Sequence, residues 1–123
     1  MEPIIARERW EIFASPLDHP ECLAFDRLGH LWAGGEAGQI YRIDRSGKPQ
    51  QMADLGGFVA GVALSLDDQL IACCPSCGLV RVEPDGKWDV FARTAGDYQL
   101  ISPNFGLFNS RGDYYVTDSG NWG

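Results

Sequence analysis

A chain of 123 residues that repeats one strand–turn–strand pattern three times, spaces its apolar residues two apart and shows no helical spacing predicts an all-β fold. The class is a β-propeller of four-stranded antiparallel blades. The repeat is the strongest of these observations. Glu21 to Leu31, Ala60 to Leu70 and Asn104 to Tyr114 align without a gap. Ala60 lies 39 residues after Glu21 and Asn104 44 residues after Ala60, which is the length one propeller blade needs. Gly or Pro punctuates the chain at the spacing of short strands.

Each element follows in order. Residues 9–14 (Arg9-Trp10-Glu11-Ile12-Phe13-Ala14) copy Lys87-Trp88-Asp89-Val90-Phe91-Ala92. They are therefore expected as a lone outermost strand, a latch whose blade partners come from elsewhere. Ser15 to Pro20 reads as a turn. Blade one spans 21–59, with strands at Glu21 to Asp26, Leu31 to Gly34, Gln39 to Ile43 and a fourth after Lys48. Blade two, 60–103, repeats it with an insertion of about five residues near Gly96 to Ser102. Residues 104–123 open a third, incomplete blade. Positions 1–123 thus form a single partial propeller domain of about two and a half blades. Ile40, Ile43, Leu79, Val82, Leu107 and Val116 are expected between sheets. Asp26, Asp67, Asp68 and Asp85 are expected to form turns through side-chain to backbone bonds. The tryptophans and phenylalanines are expected to pack blade against blade.

A net charge of −7 and scattered basic residues argue against nucleic acid and anionic membranes as partners. The first 17 residues carry Glu2, Arg7, Glu8, Arg9 and Glu11 and have no apolar run, so they read as neither leader nor span, and the default location is cytoplasmic. Cys73-Cys74-Pro75-Ser76-Cys77 contains C-x-x-C, a pattern of zinc and redox sites. No second pair follows and no helix N-terminus is at hand to activate a thiol. Three free thiols in a hairpin are expected, with Cys22 as small packing material.

Glu21 after His19-Pro20, the run Pro103-Asn104-Phe105-Gly106, and Gly112-Asp113-Tyr114-Tyr115-Val116-Thr117-Asp118-Ser119-Gly120 resemble the gluconolactonase and senescence-marker-protein family. The resemblance implies a six-bladed, metal-dependent propeller. It makes Glu21 a metal ligand and puts Asn104 in the metal and substrate shell, with the catalytic base and the other ligands beyond residue 123. Glu21, Ala60 and Asn104 share one repeat position, which rings the mouth of the central channel. The Glu21 carboxylate and the Asn104 amide oxygen, with the Ala60 methyl between them, suit a hard cation, Ca²⁺ first, with Mg²⁺ or Zn²⁺ as alternatives.

His19, beside Glu21, and Phe105, after Asn104, complete the expected substrate contacts. Family members acting on sugar lactones often have Arg two residues before this Asn and Asp directly after it; Ser102 and Phe105 stand here. That departure points toward a less hydroxylated lactone or ester. The expected function is therefore a share of a metal-dependent lactone or ester hydrolase. The segment alone is expected to be inactive and to self-associate through open blade faces unless the missing blades cover them. The alternative is a non-catalytic propeller that binds a small molecule or protein on its top face.

Overall fold

Strand pairing begins with a turn that the sequence writes five times. Asp26 Oδ1 accepts the Leu28 and His30 N–H, each at 2.9 Å, and Asp44 Oδ1 accepts those of Ser46 and Lys48 at 2.8 and 3.0 Å. Ser65 Oγ and Asn109 Oδ1 do the same for residues two and four positions on. In each turn the fourth residue donates its N–H to the first residue's carbonyl and takes a left-handed backbone, with φ of 82° at Gly29, 84° at Gly47, 89° at Gly86 and 86° at Gly112. Asp68 holds that position at φ 59° without being glycine. Its carboxylate reaches across to the neighbouring blade, accepting Arg27 N–H at 3.1 Å and Arg27 Nε at 3.0 Å. The expectation for Asp67 and Asp68 is thus corrected. Ser65 makes the turn bonds and Asp68 ties blade to blade, while Asp26 and Asp85 bond within their turns as expected.

The computed structural model describes residues 4–121; the ends of the expected 1–123 domain and of the third blade, 104–123, lie outside the described residues. Blade one is the sheet β1 (Leu23–Phe25), β2 (Leu31–Gly34), β3 (Gln39–Ile43) and β4 (Pro49–Asp54). Blade two is β5 (Gly61–Leu64), β6 (Leu70–Cys74), β7 (Gly78–Val82) and β8 (Trp88–Ala92). Both are antiparallel, with strands in consecutive order. The insertion folds as a small hairpin of β9 (Thr94–Ala95) and β10 (Tyr98–Gln99). Then β11 (Pro103–Phe108) pairs with β12 (Tyr114–Asp118), opening blade three one residue before the expected boundary. The fold is a partial β-propeller, as the repeat predicts.

Burial follows from the pleat. Blade two is covered on both faces, so β6 reads Leu-Ile-Ala-Cys-Cys with every residue buried. Leu70, Ala72 and Cys74 turn toward blade one, in a core with Trp32, Ile40, Val59, Val62, Val80 and Val82. Ile71 and Cys73 turn the other way and pack with Leu79, Leu100, Phe108, Tyr114 and Val116. Ile40, Leu79 and Val82 are buried between sheets as expected, whereas Ile43 is corrected: it is buried, but on the opposite face of blade one, beneath Phe13 and Leu17. Leu107 is corrected: it is 63% exposed, because Gly106 and Phe108 are the residues of β11 that face blade two, and odd-numbered Leu107 points away. Of the aromatic residues, Trp32 and Phe108 pack between blades, whereas Trp10, Phe13, Phe25, Trp88, Phe91 and Phe105 are exposed, and Trp122 lies outside the described residues.

Residues 9–14 join no ladder among the described residues. Arg7–Arg9 form one 3-10 turn, the only helical element described, and Trp10 continues in an extended conformation (φ −80°, ψ 137°). A strand is made by its neighbour, and none lies alongside this segment. Instead the Phe13 carbonyl sits against Gly47, where a Cβ would collide with it.

Candidate functional site

The loop before β1 is held to the β2–β3 turn by bonds that the sequence sets up within a few residues. Asp18 Oδ2 accepts the Ala37 N–H at 3.0 Å, the Asp18 carbonyl accepts the Glu36 N–H at 3.1 Å, and Tyr41 OH accepts the Asp18 N–H at 3.3 Å. The Ala37 N–H, with the His19 ring second, holds the Asp18 carboxyl below the usual carboxylate range. With the loop fixed, His19 (φ 38°) places Nδ1 3.2 Å from Asp18 Oδ1 and 3.0 Å from Glu36 Oε2. His19, Glu21, Glu36 and Phe58 line one opening of about 710 Å³. Glu21 is exposed, and its carboxylate accepts no hydrogen bond from the described residues.

Glu21 also rims a second, apolar groove of about 280 Å³ on the uncovered face of blade one, walled by Phe13, Leu17, Leu23, Leu31 and Ile43. Glu21 is the residue that the two cavities share.

Asn104 lies on the third blade. Pro103 pairs with Asp118 and Phe105 with Thr117, which makes Asn104 the extra residue of a β-bulge. Bulges re-aim side chains, and this one leaves Asn104 half-buried beside an exposed Phe105 ring. The Phe105 N–H donates to Thr117 Oγ1 at 3.2 Å. The preceding loop is fastened by Asp118, which accepts the N–H groups of Ile101 (2.8 Å), Ser102 (3.1 Å) and Gly120 (2.8 Å). Desolvation raises that carboxyl's pKa, but the three N–H bonds outweigh it and hold the group below its ordinary value.

The first strands of the blades lie side by side, with β5 between β1 and β11, as strands lining a propeller channel do. Gly61 of β5 backs onto the Asn104 carbonyl so closely that a Cβ would collide. Glu21 and His19 share an opening; Asn104 and Phe105 are neighbours on another blade and do not line it. Buried Ala60, at the same repeat position, stands between the two pairs in sequence.

Asp18 and Glu36 are site residues the sequence reading did not single out. Strand parity carries the missed signal, since the β2–β3 turn must return to the end of the blade where β1 starts. Asp18, His19 and Glu36 each bring one ligand atom within 4.8 Å of the others, Glu21 lines the same opening, and Asn104 stands apart on the third blade. Two carboxylates and one imidazole are donors of the kind a divalent cation takes, and the amide is not among them.

The cysteines are all unbridged. Cys73 faces blade three, 3.5 Å from Tyr114 OH, while Cys74 faces blade one beside the Gly57 carbonyl and Ser76. Opposite faces of one strand cannot serve one tetrahedral ion, which separates Cys73 from Cys74 and Cys77. Burial and the neighbouring Cys77 push the Cys74 thiol up to about 11, burial raises Cys73, and burial with the adjacent Cys73 raises Tyr114. Cys22 is buried in the first core cluster, as expected of packing material.

No helix among the described residues is long and apolar enough to cross a membrane. No protein-family model matches the chain, and no curated protein matches it. Solved structures do. A gluconolactonase of Xanthomonas campestris superposes with a TM-score of 0.77 at 18% identity, over 87% of this chain and 37% of that one. A virginiamycin B lyase of Staphylococcus aureus gives 0.67 at 17% identity, over 80% and 34%, and the hydrazine synthase of Kuenenia stuttgartiensis 0.67 at 16%, over 91% and 32%. The chain spans about a third of the length of each of these structures, and at such identities what it shares with them is the fold, a β-propeller of four-stranded antiparallel blades.

Proposed function

We propose that this chain supplies the opening blades of a metal-dependent lactone or ester hydrolase of the gluconolactonase and senescence-marker-protein type. The observation that carries this reading is the opening that gathers Glu21, His19 and Glu36 at the end of the blade where the first strand begins. The likeness in fold to a gluconolactonase supports it. Glu21 and Asn104 would hold the ion, Ca²⁺ by preference for oxygen donors. Its contribution is to polarise the scissile carbonyl and to lower the pKa of a bound water. His19, kept in place by Asp18 and Glu36, lies beside Glu21 to contact the substrate. Phe58 in the opening, with the exposed Phe105 ring on the third blade, would suit a lactone or ester with few hydroxyls.

The test uses calorimetric Ca²⁺ titration and a lactone and ester panel on a complete propeller carrying this segment, with and without Glu21→Gln, and on the 123-residue chain. Loss of both Ca²⁺ binding and turnover in Glu21→Gln is expected. Weak Ca²⁺ binding and self-association are expected of the short chain, because two protein ligands leave most of a coordination shell of about six to eight oxygens to water. Full activity in Glu21→Gln would remove Glu21 from the mechanism. Retained ligand binding with no turnover of any substrate would favour the non-catalytic propeller.

A further inference from the structure

The end of blade one opposite Glu21 holds a cavity of about 450 Å³ lined by His30, Arg42, Asp44, Lys48, Pro49 and Gln50. The internal repeat provides its control, because every lining position has a counterpart 39 residues on. Gln69, Arg81, Glu83, Lys87 and Asp89 match His30, Arg42, Asp44, Lys48 and Gln50, and Asp85 and Pro84 match Ser46 and Arg45. In blade two the cations are neutralised. Arg81 donates Nε and Nη2 to Asp89 at 3.1 and 3.0 Å, and Lys87 Nζ lies 3.5 Å from Asp85.

Blade one keeps the two cations and replaces both of those carboxylates. Gln50 stands directly across the ladder from Arg42, as Asp89 does from Arg81, and takes one bond of 3.2 Å without a charge. Ser46 stands where blade two has Asp85 and donates to Asp44 instead. Among the described residues no carboxylate lies within salt-bridge distance of Arg42, Arg45 or Lys48, whereas Arg27, Lys87 and Arg111 each have one and Arg81 has two, Asp89 and, at 3.7 Å, Glu83. Arg42, Asp44, Arg45 and Lys48 sum to +2; Arg81, Glu83, Asp85, Lys87 and Asp89 sum to −1.

The side chains around the cavity are also pre-positioned. Asp26 Oδ2 accepts both the Trp32 Nε1–H at 3.0 Å and His30 Nδ1 at 2.9 Å, and the Arg42 guanidinium lies 6.0 Å from the Trp32 ring centroid. Asp44 Oδ1 accepts Ser46 N–H, Ser46 Oγ–H and Lys48 N–H, which tie that oxygen to its own turn and hold the carboxyl below its ordinary value. A guanidinium with an open edge, an ammonium and an amide around a cavity of this size suit a small tetrahedral dianion. We propose that this end of blade one binds a phosphate group, free or carried on a small molecule. A net charge of −7 disfavours any non-specific uptake of anions, so binding here has to come from this local arrangement.

The test is titration of the ¹⁵N-labelled chain with sodium phosphate and, separately, with glycerol 3-phosphate, at constant ionic strength and pH 7. Saturable shifts confined to His30, Arg42, Lys48 and Gln50 are expected, tighter for the monoester if the site reads a phosphate on a carrier. Gln50→Asp rebuilds the salt bridge of blade two and should weaken binding at least tenfold while the unfolding midpoint is kept; Arg42→Gln should do the same. The converse pair Asp85→Ser with Asp89→Gln should create a second set of shifts in blade two. Unsaturable shifts spread over both blades, or unchanged affinity in folded Gln50→Asp, would overturn the proposal.

Discussion

Two turns of identical form allow the worth of a buried carboxylate network to be measured inside one molecule. Asp26 and Asp44 occupy the same place in the β1–β2 and β3–β4 hairpins, and each accepts two backbone N–H groups through Oδ1. Asp44 is on the surface, so in Asp44→Ala water replaces its partners and the loss should be the smaller of the two. The Asp26 side chain is only 8% exposed, and its second oxygen receives Trp32 Nε1–H and the His30 ring. Asp26→Ala therefore adds an orphaned indole N–H on a residue that is itself 5% exposed, a penalty of about 1–3 kcal/mol beyond the turn term. The total is about 3 kcal/mol, or roughly 10 °C or more in Tm for a domain of this size.

Trp fluorescence in urea gives both values on the same scale. Acid adds a second readout. Desolvation raises the Asp26 pKa, but the bonds from Trp32 and His30 outweigh it, so the folded-state pKa lies below the unfolded one. That stability is present above the unfolded carboxyl value, about 3.9, and is lost as pH falls through the folded value. The Asp26→Ala protein should lose less stability than the parent between about pH 5 and the acid transition. Equal destabilisation by the two substitutions, within about 0.5 kcal/mol, would refute the argument from burial.

Three further outcomes are expected. All four cysteines should titrate as free thiols in the unfolded chain; in the folded chain Cys77, the one that is not fully buried, should react first and Cys73 and Cys74 only on opening. Because the Cys74 pKa is raised, its contribution to stability is intact below the ordinary thiol value of 9.0 and fades as pH climbs toward about 11, which thermal scans from pH 8 upward would register. Gly61→Ala, whose new methyl group meets the Asn104 backbone, should cost about 1–3 kcal/mol and shift the amide resonances of Asn104 and Phe105. Unchanged resonances there would show that β5 and β11 are not in the close contact described.

The repeat was legible because it is written in turn chemistry as well as in apolar spacing. The glycines at positions 29, 47, 86 and 112 and the oxygen-bearing residues three positions earlier fix where each strand must reverse, and the blade follows from them. Where the pattern was carried by a different atom the reading slipped. Ser65 does with a hydroxyl what Asp26 and Asp44 do with carboxylates, and Asp68 occupies a glycine position, so the second hairpin looked like an aspartate turn while working as a serine one. Leu107 failed for another reason. Alternation says which residues share a face but not which face is covered, and in β11 the bulge at Asn104 and the glycine at 106 hide the parity.

The candidate site divides along the same line between local and long-range information. Glu21 and His19 are adjacent in sequence and end in one opening, whereas Glu36 comes to them only because β2 returns to the start of β1 and Asp18 fastens the turn there. The opposite end of the blade shows what a repeat adds when it is read position by position. Gln50 alone is an unremarkable surface amide on a strand. Set across the ladder from Arg42, in the place where Asp89 faces Arg81, it becomes the difference between a neutralised pair and an arginine with one edge open. The two blades share a backbone and differ in charge at one end, so their difference in anion affinity is a property of a few side chains that substitution can exchange in both directions.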